Sequence, residues 1–373
     1  MKIPLVDLKA QYERIKNEII SAVTSVLDSQ QFILGEKVLE FESELSKYIG
    51  VKHAIGVASG SDALLLAYMA LGLKSGDEII TTPFTFFATA GSAARLGIKV
   101  CFADIREDTF NVDIDSLLER VTSNTKAIVP VHIFGQAAEI DKIMDISHRT
   151  GIPIIEDLAQ AIGAKFAGRK VGSFGLINCL SFFPSKNLGG YGDGGAVLTN
   201  SDSLAELIKM LRVHGSSSRY YHEIVGINSR LDEIQAAVLL VKMKYLDMWN
   251  EERRSRAKYY NYLFKESLLE EFVKTPVELE NCYHVYHQYV IRAKDRDKLK
   301  DYLSGKGIST QVYYPVPLHL QPCFRGWGYK PGYCPVAERI CGEVLALPMY
   351  PELSPSLQEY IVEAIASFYR KRV

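Results

Sequence analysis

No stretch of this sequence is long and apolar enough to cross a membrane as a helix. Long runs without a charged residue include Ile79 to Ala94 and Val171 to Ser185. Both fall short of the ~20 residues that a bilayer span needs, and both contain proline. There is no excess of charge of either sign, since 43 Lys+Arg stand against 44 Asp+Glu for a net charge of −1. Bulk attraction to nucleic acid or an anionic membrane is thereby excluded, whereas a small anionic ligand held by a few local groups is not. The six cysteines (Cys101, Cys179, Cys282, Cys323, Cys334, Cys341) include no CxxC pair. They read as free thiols, not as zinc ligands or a disulfide framework. No GxxxxGK[ST] occurs, so a P-loop is absent. The opening MKIPLVDLKAQYERIK is charged from its second residue and has no apolar leader core, which gives a cytoplasmic expectation.

What is present is a large core: 47% of the 373 residues are hydrophobic and 23% charged, enough for two or three domains at ~150 residues each. Leu8, Tyr12, Ile15, Ile19, Val23, Val26 and Leu27 recur at intervals of three and four, predicting a first helix, and a second spans 36–48. From His53 onward strands and helices alternate. Strands are expected at 53–58, 78–82, 99–104, 127–132, 152–156, 178–183 and 196–199, and helices at 61–73, 87–96 and 140–149. Such alternation implies an α/β fold with a mostly parallel sheet and helices on both faces. A long helix over 231–263 then leads to a strand over 283–293, a helix over 295–306 and a strand over 308–314, a smaller C-terminal α+β domain. The expected division is 1–245 for the N-terminal helices and the large α/β domain, and 246–373 for the connecting helix and the small domain.

Three segments carry chemistry. The first is Ser181-Phe-Phe-Pro-Ser-Lys186-Asn-Leu-Gly-Gly-Tyr-Gly-Asp-Gly-Gly195. Gly190, Gly192 and Gly195 match a literal G-x-G-x-x-G, but they lead into a strand and not a helix, so a nicotinamide-dinucleotide reading fails on context. Lys186 in this apolar, glycine-rich setting would lose proton affinity and gain nucleophilicity toward a carbonyl; the plainer reading is a surface loop lysine. The second is Asp157, directly after the strand 152–156. Ligands of open α/β sheets bind at such strand ends, and an acid there can pair with a pyridinium nitrogen; the plainer reading is a helix cap. The third is Ala58-Ser-Gly-Ser-Asp-Ala63, a strand–turn–helix start whose free N–H groups suit a phosphate.

Together these segments resemble fold-type I pyridoxal phosphate (PLP) dependent transferases, and within them the DegT/StrS family of nucleotide-sugar aminotransferases. The resemblance spans the chain. It rests on Ile3-Pro-Leu-Val-Asp-Leu, Gly60-Ser-Asp-Ala, Phe84-Thr-Phe-Phe-Ala-Thr89, Glu156-Asp-Leu-Ala-Gln160, the Lys186 segment, Gly226-Ile-Asn-Ser-Arg230 and Gln235-Ala-Ala. It implies that Lys186 forms the Schiff base with the cofactor, that Asp157 binds the ring nitrogen, that Gln160 reaches the ring hydroxyl and that Phe86 stacks on the ring. Gly60, Ser61, Asp62 and Ser181 would surround the phosphate, and Asn228 would reach the site of a homodimer partner. Some relatives carry histidine in place of the lysine and are dehydratases; Lys186 therefore implies transamination, with glutamate as donor. Pro83-Phe-Thr-Phe-Phe-Ala-Thr and Phe182-Phe-Pro-Ser-Lys-Asn-Leu-Gly are most similar to the branch that aminates C3 of a dTDP-linked 3-keto-6-deoxyhexose. A C4 aminase of a 4-keto sugar and a PLP- or nucleotide-sugar-binding regulator are the alternatives.

Candidate substrate groups are Tyr221, His222, Tyr313, Tyr314 and His319, as polar aromatics that could stack on a base or bond a sugar hydroxyl. His284 and His287 form an HxxH without an accompanying carboxylate, so no metal site is expected.

Overall fold

The computed structural model describes residues 2–370. Seven strands run side by side in the order His53–Val57, Gly195–Thr199, Ile177–Ser181, Ile155–Asp157, Thr125–Val129, Glu78–Thr81, Lys99–Phe102. Two ladders compose this array, and the parallel bridges Ile128↔Ile154 and Val131↔Asp157 join them. Only Gly195–Thr199 runs antiparallel to its neighbours, so the mostly parallel expectation holds. Side-chain alternation along each strand feeds two separate cores. Ile55, Ile79, Val100, Ile155, Cys179 and Val197 pack with the Gly60–Ala70 helix on one face. Ala54, Ile80, Cys101, Ile154, Leu180 and Leu198 pack with the Glu36–Ile49 and Ile140–Thr150 helices on the other.

A second, antiparallel sheet of Val273–Lys274, Tyr289–Ala293 and Val344–Leu347 has its own apolar cluster, built with helices Leu246–Glu266, Arg296–Gly305 and Pro355–Arg370. The opening residues cross to it: the Ile3 N–H donates to Gly307 O at 2.8 Å and Ile3 is buried in that cluster. Among the described residues no helix is long and apolar enough to cross a membrane, and all six cysteines are free thiols.

Three sequence expectations are corrected. The 231–263 helix is two helices, Glu233–Met243 and Leu246–Glu266. The first buries Val238 and Val241 against Ile15 and Ile19; the second buries Tyr260 and Phe264 in the C-terminal cluster. A single straight rod could not present both faces. The 283–293 strand is interrupted over 284–288, where Val285 N–H donates to Gly135 O (2.9 Å) instead of continuing the ladder. The 308–314 strand is reduced to single bridges at Ile308 and Gln311, which serve two different neighbours.

The antiparallel strand matters because it enters where the Ser59–Gly60 turn lies. A Cβ on Gly195 would sit 2.4 Å from the carbonyl carbon and oxygen of Ser59 and 2.7 Å from Gly60 N. Gly195→Ala must displace that turn, at about 1–3 kcal/mol of overpacking. Urea unfolding is expected to show that loss; an unchanged midpoint would mean that the turn yields freely.

Candidate active site

Two adjacent carboxylates at the end of the Ile155–Asp157 strand are treated oppositely by their surroundings. The Glu156 carboxylate is fully buried and accepts from His132 Nε2 (2.9 Å) and from the N–H groups of Gly172 (2.8 Å), Phe174 (2.7 Å) and Gly175 (2.7 Å). His132 Nδ1 accepts from Ala138 N–H, which leaves its proton on Nε2, facing Glu156. Burial alone would push the Glu156 carboxyl up, but His132 and the backbone donors outweigh it and hold the group below its ordinary value. Asp157 has less support. Its Oδ2 accepts from Thr89 Oγ1 (2.8 Å) and its Oδ1 from Ala159 N–H (3.1 Å). Burial dominates and raises its pKa, with Thr89, Ala159 and the charge of Lys186 opposing in part.

Lys186 lies in the glycine-rich return between the Ile177–Ser181 and Gly195–Thr199 strands. Phe182 N–H donates to Gly194 O and Gly190 N–H to Phe182 O, both at 2.8 Å, and these bonds close the return on itself. From behind, Lys242 Nζ donates to Gly189 O (2.6 Å), while Gln235 Oε1 accepts from Tyr191 N–H (2.8 Å). Burial lowers the Lys186 pKa to about 8, against the pull of Asp157. A minor fraction of its amine is therefore unprotonated at pH 7, far more than for a free lysine.

Beside this pair the Gly60–Ala70 helix begins. Ser59 Oγ accepts from Asp62 N–H (3.1 Å), and the first-turn N–H groups of Gly60 and Ser61 have no acceptor within the helix. A Cβ on Gly60 would lie 2.6 Å from Ser181 Cβ, so only glycine lets the helix start approach Ser181 this closely. Ser181 and the first-turn N–H groups thus meet at the positive end of a helix dipole, an arrangement suited to a phosphate.

The other candidate residues divide. Gln160 is buried; its Oε1 accepts from Phe134 N–H (2.8 Å), and its Nε2 donates to Tyr314 Oη (3.0 Å) with one hydrogen left over. Tyr314 is thus tied to the site through Gln160, and Tyr313 is half-buried beside it. The Phe86 ring is 59% exposed and Asn228 is exposed. Tyr221 and His222 stand out on a short hairpin with Ser216–Ser218, both exposed. His319 is corrected: its side chain is fully buried among Phe102, Tyr329 and Tyr333, and its Nε2 meets Glu338 Oε1 at 2.9 Å, so it packs the core and is not a surface for a sugar. Thr89 and the His132–Glu156 pair were not identified from the sequence, where no local pattern marks a threonine or histidine whose partner lies 24 to 68 residues away. A cavity of about 1200 Å³ lies elsewhere, lined mainly by residues within 104–120 and 261–277 with Arg292, Tyr333, Pro335 and Val336, and none of the candidate site residues lines it.

The model of the DegT/DnrJ/EryC1/StrS aminotransferase family matches residues 13–366. The chain belongs to this family. It is 52% identical over 370 residues to a protein of Geobacillus stearothermophilus named pleiotropic regulatory protein, covering 99% of each chain. It is 41% identical to a UDP-N-acetyl-3-dehydro-alpha-D-glucosamine 3-aminotransferase of Acidithiobacillus ferrooxidans, covering 99% of this chain and 97% of that one. It is 39% identical to a dTDP-3-amino-3,6-dideoxy-alpha-D-galactopyranose transaminase of Aneurinibacillus thermoaerophilus, covering 97% and 98%. Its structure is similar to that of S. venezuelae DesV in complex with ketimine intermediate, with a TM-score of 0.95, 38% identity and 98% coverage of both chains. The chain is accordingly a PLP-dependent aminotransferase acting on nucleotide-linked sugars, with the fold-type I architecture of its relatives.

The two carboxylates predict opposite responses in cofactor-free protein. Glu156, held low, contributes stability that is fully present above the unfolded pKa of about 4.3 and is lost as pH falls through the lower folded value. Asp157, held high, contributes stability fully present below about 3.9 and lost as pH rises through the folded value. Glu156→Gln is therefore expected to lower stability at pH 7.5 by at least about 2 kcal/mol, since charged hydrogen bonds are lost, with the gap closing on acidification. Asp157→Asn is expected to match or exceed wild type at pH 7.5, its advantage vanishing in acid, because Thr89 can turn its hydroxyl to Phe86 O (3.3 Å). Thermal melts between pH 3.5 and 8 check both; equal pH profiles for the two variants would contradict the opposed shifts.

Proposed function

We propose that this protein moves an amino group from glutamate to the 3-keto carbon of a dTDP-linked 3-keto-6-deoxyhexose, giving a dTDP-3-amino-3,6-dideoxyhexose. The observation that carries the chemistry is a lysine with a pKa near 8 facing a carboxylate that lacks a full set of donors. That donor set suits PLP. Gly60, Ser61, Asp62 and Ser181, brought together by the close approach at Gly60, would hold its phosphate, Asp157 its ring nitrogen, Gln160 through the spare Nε2 hydrogen its ring hydroxyl, and Phe86 its face. When bound, the cofactor supplies an electron sink and carries the amino group between the two substrates.

The chain's own residues then have defined tasks. Asp157 keeps a proton at the ring nitrogen, a task for which its shortage of partners prepares it. Lys186 Nζ, neutral in part at physiological pH, takes the proton from the α-carbon of the amino donor and later delivers one to the sugar carbon as acid. Tyr221, His222, Tyr313 and Tyr314 are the proposed sugar and nucleotide contacts. The exposed Asn228 is proposed to complete the site of a second copy in a homodimer. The boundary is proposed near residue 245, with the opening residues packed on the smaller unit and Leu318, Phe324, Cys334, Ala337, Ile340 and Cys341 returning to the core of the larger one.

C3 amination is favoured by relatives whose names place the nitrogen at C3 on both UDP- and dTDP-linked sugars; the segments around Phe84 and Lys186 favour the dTDP-linked deoxyhexose. The regulator reading draws on the name of the 52% identical relative. Incubation with dTDP- and UDP-linked 3-keto and 4-keto sugars plus glutamate, followed by mass spectrometry, tests the proposal. The expected product is the dTDP-3-amino sugar. A product only from the 4-keto series rejects the position; loss of the cofactor's aldehyde absorbance with glutamate, but no aminated sugar, rejects the acceptor. No change on adding glutamate favours the regulator. Borohydride reduction should fix the cofactor on the Lys186 peptide. In mixed dimers of Lys186→Ala and Asn228→Ala, activity is expected to return to about a quarter of wild type, since about half the dimers then hold one intact site of two; no recovery would place Asn228 in its own subunit's site.

A further inference from the structure

One histidine of the HxxH pair, His287, lies at the back of the Lys186 segment. Asn187, the residue after Lys186, is buried and makes three side-chain hydrogen bonds. Its Nδ2 donates to Asn250 Oδ1 (2.7 Å) and to Val285 O (3.2 Å). A carbonyl can only accept, so the amide orientation is settled and Asn187 Oδ1 must face the third partner, His287 Nδ1, at 3.0 Å. The His287 proton therefore sits on Nδ1 and its Nε2 is a lone pair. Asn250 is fixed by the same reasoning, because its Nδ2 donates to Ile162 O (3.2 Å). The segment carrying His287 is in turn held by Arg253, whose Nη1 donates to His287 O (3.3 Å) and Met349 O (3.0 Å).

His287 is 6% exposed, and a cavity of about 40 Å³ touches both it and Ser185, the residue before Lys186. Burial first, and then the charges of Lys186 and Arg253, keep its imidazole neutral. The charged and titratable groups facing Lys186 are thus Asp157 from the strand end and His287 from the 284–288 segment, with Arg253 behind His287.

We propose that His287, as a neutral Nδ1–H donor to Asn187, is a positioning residue for Lys186: it locks the lysine's backbone from the C-terminal side and limits the access of water to its amine. The proposal rests on the reading of Lys186 as the cofactor-bearing base. A lysine that alternately holds and releases a cofactor must move its side chain while its Cα stays in place. The polar chain Asn250–Asn187–His287 supplies that fixed point, and it explains why the ladder over 283–293 is broken at 284–288.

Asparagine places its Nδ2 where the histidine Nδ1 lies, whereas glutamine reaches toward the Nε2 position, so the pair His287→Asn and His287→Gln separates the donor from mere bulk; His287→Leu removes the donor altogether. The first measurement uses cofactor-free protein: competitive acetylation with acetic anhydride across pH, read by mass spectrometry of the Lys186 peptide. Wild type and His287→Asn should titrate with a pKa of about 8. His287→Gln and His287→Leu should move up by at least about one unit, toward the free-lysine value of about 10.4, as water enters. The second measurement is turnover: kcat is expected to drop ~10-fold or more in Gln and Leu, with KM for the nucleotide sugar within about threefold and kcat largely rescued in Asn. Unchanged Lys186 titration in a folded Gln or Leu variant, or an Asn variant no better than Gln, overturns the proposal. If Leu does not fold, the Asn–Gln comparison still decides. Borohydride trapping on another lysine would overturn the Lys186 reading instead, a result separate from the acetylation curves.

Discussion

A carboxylate buried at the end of a parallel strand, with too few donors around it, is the constraint on which the rest of this structure depends. Ionised groups in a protein interior carry penalties of several kcal/mol unless their lone pairs are met. Glu156 shows the solved case, with four donors on two oxygens. Asp157, its neighbour in sequence, has one hydroxyl and one N–H. The difference between adjacent residues is functional tension of the kind that local rules violate at sites and compensate elsewhere. Here Glu156 is that compensation: it ties the strand end to the loop 172–175 and to His132, whose own backbone N–H donates to Asp157 O (3.0 Å). The stable carboxylate anchors the backbone of the unstable one.

Everything opposite Asp157 is arranged by close backbone approach. The glycine-rich return has the literal spacing of a dinucleotide fingerprint, yet its glycines serve packing from behind. A Cβ on Gly190 or Gly192 would come within 2.8 and 2.9 Å of the Gln235 amide, and one on Gly189 within 2.3 Å of Pro184 O. Side chains of the Glu233–Met243 helix thus press the loop forward toward the strand ends. The same logic applies on the near side, where Gly60 against Ser181 and Gly195 against Ser59 bring a helix start, a strand end and a returning strand to one point. Three elements can meet there only because one partner in each of the two contacts, Gly60 and Gly195, lacks a β-carbon.

How much of this was legible in the sequence follows from how local each signal is. Strand–helix alternation from His53 to Thr199 is read from nearest-neighbour periodicity, and the elements fall within a few residues of expectation. Asp157 and Lys186 are legible because a strand end and a glycine run mark them. The failures share one cause: the deciding partner is distant. The break after Met243 depends on which core each half faces, and the interruption at 284–288 on Gly135 and Asn187, some 100 residues or more away. His319 could pass for a ligand-facing histidine next to two prolines; only the tertiary fold shows Glu338 and three aromatic rings closing over it. Thr89, inside a motif already noticed for its phenylalanines, gave no sign that its hydroxyl meets Asp157.

The burial pattern separates reaction from recognition. Asp157, Glu156, Gln160 and Asn187 are each fixed by buried polar partners within one chain. Phe86, Tyr221, His222 and Asn228 are exposed and, among the described residues, only His222 has a side-chain hydrogen bond, from Nδ1 to His214 O. Groups that move protons require placement to a fraction of an ångström, and only a packed interior provides it. Groups that choose among nucleotides and sugars need a surface that can change without disturbing that interior. A fold so divided can keep one transamination chemistry while its acceptor drifts from one nucleotide sugar to another. On the proposed roles, replacing Tyr221 is expected to alter which sugar is bound, whereas replacing a buried amide such as Asn187 is expected to alter how well any sugar reacts.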